Sequence, residues 1–107
     1  MRYDPTTDSV LSRFRSTLSE IYGDRLARVV LYGSRARGDY RPDSDYDVAV
    51  FLYHMPNRGA EIHRIADLET DILYDTGAVI NAVPFPIDAY RERTGFMREL
   101  RQDGLDL

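Results

Sequence analysis

Two aspartates, Asp45 and Asp47, stand at the start of an almost wholly apolar run and carry the strongest chemical signal in the sequence. Residues i and i+2 of a β-strand point to the same face, so the two carboxylates would lie side by side. Like charges at this spacing repel one another unless a cation lies between them. Carboxylate oxygens favour Mg²⁺ or Mn²⁺ over zinc, and paired ions bridged in this way can stabilise an in-line phosphoryl displacement. The pair therefore predicts a metal site suited to phosphoryl chemistry.

A Gly-Ser pair precedes these aspartates, with ten residues in between. Gly33 can adopt a positive φ at the end of a strand, and Ser34 can cap a following helical turn through RARG (35–38). The free N–H groups at the start of such a turn favour an anion, and the Ser34 hydroxyl can contact a phosphate oxygen. A lone Gly-Ser pair is usually a plain capped turn. Together with the acid pair, it predicts a site for a phosphate group and its metal ion.

Apolar periodicity indicates the elements that would position these groups. Thr7 or Asp8 can cap a helix that ends at Tyr22, and Pro84 is expected to limit the third strand. The order of elements predicts an α/β (α+β) fold in which helices pack on a small mixed sheet of three to four strands, as a single domain over 1–107. The predicted strands cover 25–33, 45–53 and 78–85, and the later helices cover 60–74 and parts of 86–104. Both halves of the motif should then meet at one rim of the sheet.

The amino-acid composition limits the ligands and partners that such a site could bind. All fourteen cationic residues are arginine, so any phosphate must be held by arginine and by backbone N–H groups. The net charge of −4 argues against direct nucleic-acid binding, because nucleic-acid-binding domains are normally basic. The absence of cysteine excludes thiolate metal sites and a cysteine nucleophile. No apolar segment is long enough for a membrane span or a signal peptide, so we expect a cytoplasmic location.

Seven positions within 33–47 follow one pattern, in which Gly-Ser is followed by ten residues and then by Asp-x-Asp. This pattern resembles the signature of the minimal nucleotidyltransferase family, in the polymerase-beta-like superfamily. The motif covers only 33–47, whereas size and element order resemble the family over roughly the whole chain. The resemblance implies a polymerase-beta-like fold and a Mg²⁺-dependent (or Mn²⁺-dependent) nucleotidyltransferase that uses ATP or another NTP. The seven positions are Gly33, Ser34, Arg37, Gly38, Ser44, Asp45 and Asp47.

The resemblance also implies roles for the motif residues. Gly33 and Ser34 would hold the β- and γ-phosphates of the nucleotide, and Asp45 and Asp47 would bind the metal ions. Arg37 would steady the loop or face the phosphates.

Two further residues of the loop are candidate nucleotide contacts with an alternative role. Arg35 is one, although an exposed arginine beside Asp39 and Asp43 could equally form a loop ion pair. Ser44 is the other, and it could instead shape the loop.

The third strand departs from the family pattern. Active members carry a third acid on this strand, whereas its polar residue here is Asn81, which we take as the catalytic candidate at that position. Asparagine keeps an oxygen ligand but lacks the negative charge and cannot accept a proton. Asp71 and Asp75 could stand in, although a solvated helix face is the favoured interpretation of both.

The resemblance implies a partner as well. Proteins of this family and size resemble antitoxins that silence helical HEPN toxins by transferring AMP to a toxin tyrosine. Asn81 also allows an alternative, in which the same fold is a catalytically weak or inactive nucleotide-binding antitoxin or sensor that acts by contact. A third hypothesis, a small-molecule nucleotidyltransferase of the aminoglycoside-modifying kind, would need an additional domain.

Overall fold

Short apolar runs become the strands of one sheet in the computed structural model, which describes residues 4–107. The sheet consists of β1 (Leu26–Tyr32), β2 (Tyr46–Leu52), β3 (Ile80–Pro86) and β4 (Leu105–Asp106). The helices are α1 (Ser9–Tyr22), α2 (Ser34–Arg37), α3 (Arg58–Thr76) and α4 (Gly95–Asp103), with 3-10 turns at Pro5–Thr7, Gly23–Arg25 and Ile87–Arg91.

The strands are ordered β3-β2-β1-β4, with β2 parallel to β3 and antiparallel to β1. β1 ends where β2 begins, and Tyr32 therefore lies opposite Asp47 in the antiparallel ladder. In the parallel ladder Asp47 lies opposite Asn81. The predicted mixed sheet is thus confirmed, and its register brings the ends of three strands to one rim.

The two faces of the sheet are covered by different elements. α1 and α3 cover one face and bury a continuous apolar core that includes Phe14, Leu31, Val50 and Ile72. α4 and the turn at 87–91 cover part of the other face, where Phe51, Met97 and Leu100 are buried. The longest helix, α3, has 19 residues. Among the described residues, no helix is both long and apolar enough to cross a membrane.

The N-cap residue of α1 is hydrogen-bonded to β2, a central strand of the sheet. Asp8 caps the helix, since its Oδ1 accepts hydrogen bonds from the N–H groups of Val10 and Leu11 at 2.9 and 3.2 Å. Its Oδ2 accepts a hydrogen bond of 2.7 Å from the Tyr46 hydroxyl. Burial and this hydrogen bond raise the pKa of Tyr46 to about 12. Asp8, rather than Thr7, is therefore the cap, and it also positions β2.

At the edges of the sheet, one predicted strand boundary is wrong and one short strand is additional to the predicted ones. Pro84 does not limit β3, which continues to Pro86. The Ala82 N–H points away from β2, toward Glu69 at 3.3 Å. Strand alternation points the nitrogens of Pro84 and Pro86 the same way, where no ladder hydrogen bond is lost. β4, a two-residue strand that pairs with β1, was not predicted because so short a segment carries no periodicity.

Candidate active site

The acid pair lies at the rim where β1, β2 and β3 meet. Asp45 directly precedes β2, and Asp47 is its second residue. Asn81 of β3 donates a hydrogen bond of 3.0 Å from Nδ2 to Oδ2 of Asp45. Asp45 and Asn81 are exposed and Asp47 is half-buried, so solvent reaches all three side chains. The structure therefore brings together two carboxylates and one amide on a single open surface.

Gly33 lies very close to Asp47 of this acid pair. Its backbone adopts φ 76° and ψ −155°, a region that is essentially restricted to glycine. A Cβ atom at this position would lie 2.5 Å from Oδ2 of Asp47. Glycine is therefore required both by the turn and by the close approach of the carboxylate. The Gly-Ser turn and the acid pair, separate in sequence, form one site.

Ser34 opens the short helix α2 directly after this glycine. The Arg37 N–H donates to the Gly33 carbonyl at 3.1 Å, and the Gly38 N–H donates to the Ser34 carbonyl at 3.0 Å. The first N–H groups of such a turn have no partner within the helix. Because Gly33 contacts Asp47, these groups lie at the same rim as the carboxylates.

Arg35 is buried, so the expectation of an exposed loop arginine is wrong. Its side chain is only 6% exposed. Its Nε and Nη2 donate to the Ser44 carbonyl at 3.1 and 2.8 Å, and Nη2 also donates to the Pro42 carbonyl at 3.3 Å. The guanidinium lies over the Tyr46 ring, 3.8 Å from its centroid. These contacts hold the 38–45 loop against α2 and support a positioning role rather than a nucleotide contact.

The other two polar candidates of the loop differ in exposure. Arg37 is exposed and lies 3.6 Å from Asp39, a surface ion pair of small energetic value. The Ser44 hydroxyl accepts a hydrogen bond of 2.8 Å from the Arg41 N–H. Ser44 is therefore engaged in the loop through both its hydroxyl and its carbonyl, whereas Arg37 remains available to an incoming anion.

A cavity of about 210 Å³ adjoins the glycine turn on the α4 side. Tyr32, Gly33 and Arg37 line it from the sheet, and Phe96 and Glu99 line it from α4. The Tyr32 and Phe96 rings meet edge to face with centroids 5.2 Å apart. Burial, and secondarily the Asp47 carboxylate, raise the pKa of the Tyr32 hydroxyl above its ordinary value. This cavity places an aromatic wall next to the acid pair.

The donor set at the rim fits a hard divalent cation. Asp45 and Asp47 offer carboxylate oxygens, and Asn81 offers an amide oxygen once its side chain is rotated. Within the described residues, no cluster of three acidic or histidine side chains is close enough to hold a metal ion. Asp75 pairs with Arg13 at 2.7 Å, and Asp71 is exposed on α3, as the solvated-face interpretation predicts. The candidate site therefore offers two carboxylates as ligands for such a cation and lacks a third.

Glu69 is a polar residue near the rim that sequence reasoning missed. Glu69 lies four residues after Ile65 and three before Ile72, within the apolar stripe of α3, and its neighbour Leu68 is buried. Glu69 is half-buried at the edge of β3, where Oε1 accepts the Ala82 N–H, and burial raises the pKa of its carboxyl. An acid in the apolar stripe of a helix is the signal that could have identified it.

The chain also matches a known domain family over most of its length. The family model of the nucleotidyltransferase domain matches residues 11–103. The chain belongs to this family. The resemblance inferred from 33–47 is thereby confirmed, and it extends over most of the sequence. The nucleotidyltransferase domain contains the acid pair, the glycine turn and the Asn81 strand.

Relatives and a solved structure agree with this assignment. Two proteins of Methanocaldococcus jannaschii are named "putative protein adenylyltransferase". One is 45% identical over 47 residues, which cover 44% of this chain and 48% of the relative. The other is 27% identical over 99 residues, which cover 91% of this chain and 93% of the relative.

A solved toxin–antitoxin structure with AMP-PNP superposes with a TM-score of 0.61 at 17% identity, and covers 88% of this chain and 69% of that one. This likeness shows that the two chains share a fold, in agreement with the predicted mixed sheet packed with helices.

Proposed function

We propose that this nucleotidyltransferase domain binds ATP with Mg²⁺ or Mn²⁺ and transfers a nucleoside monophosphate to a hydroxyl group of a protein. The observation that carries this proposal is the contact between the glycine turn and the acid pair. A Cβ at Gly33 would meet the Asp47 carboxylate, so a turn suited to phosphate and a pair suited to its metal ion share one rim.

Each group of the rim has a part in the proposed reaction. The N–H groups of the turn and the Ser34 hydroxyl hold the terminal phosphates, and Arg37 is the cation available to them. Asp45 and Asp47 hold the divalent cation, which supplies charge neutralisation for the phosphates when it is bound. The acceptor oxygen forms a bond to the α-phosphorus, the bond from that phosphorus to the bridging oxygen breaks, and pyrophosphate leaves with the electron pair.

The comparisons support ATP as the nucleotide and a toxin as the partner. The relatives' names specify protein adenylyl transfer, and the superposed structure is a toxin–antitoxin assembly with an ATP analogue. We propose by analogy that the acceptor is a tyrosine of a helical HEPN-type toxin, and that the modification silences this toxin.

A second candidate function is favoured by Asn81. This residue stands opposite Asp47 where a third acid would complete the site, and its amide donates to Asp45. Such a site could bind nucleotide and metal with little or no turnover. The chain would then neutralise its partner by contact, and nucleotide would act as a signal rather than as a substrate.

Nucleotide binding is tested first with Asp47→Asn. We expect Mg²⁺-ATP to raise the Tm of the wild-type chain by mass action, and the variant to lose most of this shift because one carboxylate ligand is gone. Differential scanning fluorimetry with and without a chelator measures the effect. The control is Asp71→Asn, which changes the charge equally on an exposed helix face. A wild-type shift that survives chelation, or that persists in Asp47→Asn, contradicts the proposed site.

Transfer is tested by co-expressing the chain with whatever protein is encoded next to it and supplying labelled ATP. AMP on a tyrosine of the partner, found by mass spectrometry and absent with Asp47→Asn, supports the enzyme. A stable complex that inhibits the toxin without any modification supports the contact mechanism instead. If neither a complex nor modification is found, the antitoxin role is wrong.

A further inference from the structure

A cleft at the open edge of β3 lies on the side of the acid pair opposite the glycine turn, since β3 and β1 flank β2 on opposite sides. It has a volume of about 140 Å³ and is lined by residues of α3, by residues of β3 and by Val79, which precedes β3. Its lining includes Asn81, which is hydrogen-bonded to Asp45. It also includes Leu73 and Val79, which are 43% and 40% exposed. The cleft therefore combines apolar side chains with a residue that contacts the candidate metal site.

Glu69 is the acidic side chain among the described residues that line this cleft. Its hydrogen bond to the Ala82 N–H uses one oxygen, Oε1, and fixes the side chain against the edge of the strand. A half-buried carboxylate is costly to desolvate, and burial accordingly raises its pKa. A glutamine could make the same hydrogen bond without that cost, so capping the strand edge does not by itself require an acid.

We propose that this cleft receives the acceptor hydroxyl and that Glu69 accepts its proton. This inference rests on the proposed transfer function and assigns the acceptor side of the same site. As the acceptor oxygen bonds to the α-phosphorus and pyrophosphate departs with its electron pair, the hydroxyl proton passes to the Glu69 carboxylate and then to water. The carboxylate thus supplies the proton-accepting capacity that Asn81 lacks.

The lining of the cleft specifies the class of acceptor. Leu73 and Val79 suit the apolar body of a side chain, whereas the Glu69 carboxylate in the lining, and the Asp45 carboxylate that Asn81 contacts, disfavour an acidic group. A tyrosine side chain satisfies both conditions, because an apolar ring carries a single hydroxyl. The cleft therefore favours a protein tyrosine presented from the β3 edge.

The inference is tested with Glu69→Gln in the co-expressed complex, with labelled ATP and the co-expressed partner protein as the acceptor. We expect transfer to fall about 10²-fold, within the usual range for loss of a proton acceptor. The ATP-dependent Tm shift should be unchanged because the glycine turn and acid pair are intact. Glu69→Asp should restore part of the rate. Asp71→Asn, an exposed acid on the same helix, should transfer at the wild-type rate.

Leu73→Gln provides a second variant at an exposed position that does not threaten folding. It should raise the KM for the acceptor about tenfold and leave the KM for ATP unchanged, since about 1.4 kcal/mol of apolar contact is lost. Wild-type transfer by Glu69→Gln overturns the role of Glu69, and an unchanged acceptor KM in Leu73→Gln overturns the cleft assignment. A wild-type chain that binds ATP but transfers nothing overturns the proposed function itself, and with it this inference.

Discussion

The two ends of β2 place side chains of opposite character on the same face of the sheet. Toward the end of β2, Phe51 is fully buried beneath α4 and the turn at 87–91. Two pleats earlier, Asp47 points to the same face but is only half-buried. Strand alternation alone does not distinguish these positions. The comparison teaches that the elements packed over a face, here α4 and the turn at 87–91, decide which part of it becomes core.

The two ends should also differ in what they contribute to stability. The packed end buries Phe51 against Phe85 and Tyr90, with ring centroids 5.6 and 5.3 Å apart. The open end holds Asp45 and Asp47 on one face, where like charges disfavour each other in the absence of a cation. Stability therefore resides in the packed end, whereas the open end keeps polar groups available for ligands.

The largest expected effect comes from breaking the packed end. Phe51→Ala should lower the free energy of unfolding by about 3–5 kcal/mol, because a fully buried ring leaves a cavity. The matched control is Phe96→Ala, which removes a ring that is 39% exposed and should cost about 1 kcal/mol. Urea denaturation measures both values. Equal losses in the two variants would show that α4 does not divide the face as described.

An intermediate effect is expected from Gly33→Ala at the open end. The glycine-only backbone conformation should cost about 1–3 kcal/mol of stability. The added Cβ must also displace the Asp47 carboxylate. The ATP-dependent Tm shift should therefore be lost together with transfer.

Gly77→Ala separates the backbone cost of this substitution from its effect on the site. Gly77 also has a positive φ, 77°, but a Cβ there would have no neighbour within 4 Å. This control should lose about 1 kcal/mol of stability and keep the full nucleotide response. If Gly33→Ala also keeps that response, the close approach of the turn to Asp47 has no functional meaning.

The smallest expected effect comes from adding a carboxylate to the open end rather than removing a group from it. Asn81→Asp should add a third carboxylate beside Asp45, because the Asn81 amide already lies 3.0 Å from that residue. We expect tighter Mg²⁺ binding and about a tenfold gain in transfer, a fraction of the 10²–10³ typical of one preorganised electrostatic contact. With Mg²⁺ present, stability should change little, because the position is exposed and the bound ion offsets the repulsion between the neighbouring carboxylates. A variant that melts normally with unchanged metal affinity and transfer would exclude a missing third carboxylate.

Local pattern was sufficient to predict much of the fold. Three of the four strands, the amphipathic α1 and α3, and a mixed sheet follow from apolar periodicity and from glycine at element ends. The motif at 33–47 was enough to predict the family because residue type and spacing are properties of the chain itself. The direction of β3 relative to β2 was not predicted, since a strand has the same periodicity in either orientation.

The remaining features depend on contacts between segments distant in sequence. Arg35 is read as an exposed loop residue from its neighbours, and only the folding of the 38–45 loop onto α2 buries it. Pro84 is tolerated within β3 because β3 is an edge strand of the sheet. Which strand lies at an edge is decided only when the sheet is assembled. Glu69 contacts β3 because α3 packs against that strand. It accepts the N–H of Ala82, which lies thirteen residues later in the sequence.

The sequence by itself determined which chemistry the chain carries, because the glycine, the serine and the two aspartates are defined by type and spacing. The tertiary structure decided where that chemistry is exposed. Strand register placed Asn81 beside Asp45, and the packing of the surrounding elements left these side chains accessible to solvent. The physical reason is that side-chain periodicity is local, whereas burial depends on which other elements pack over a face.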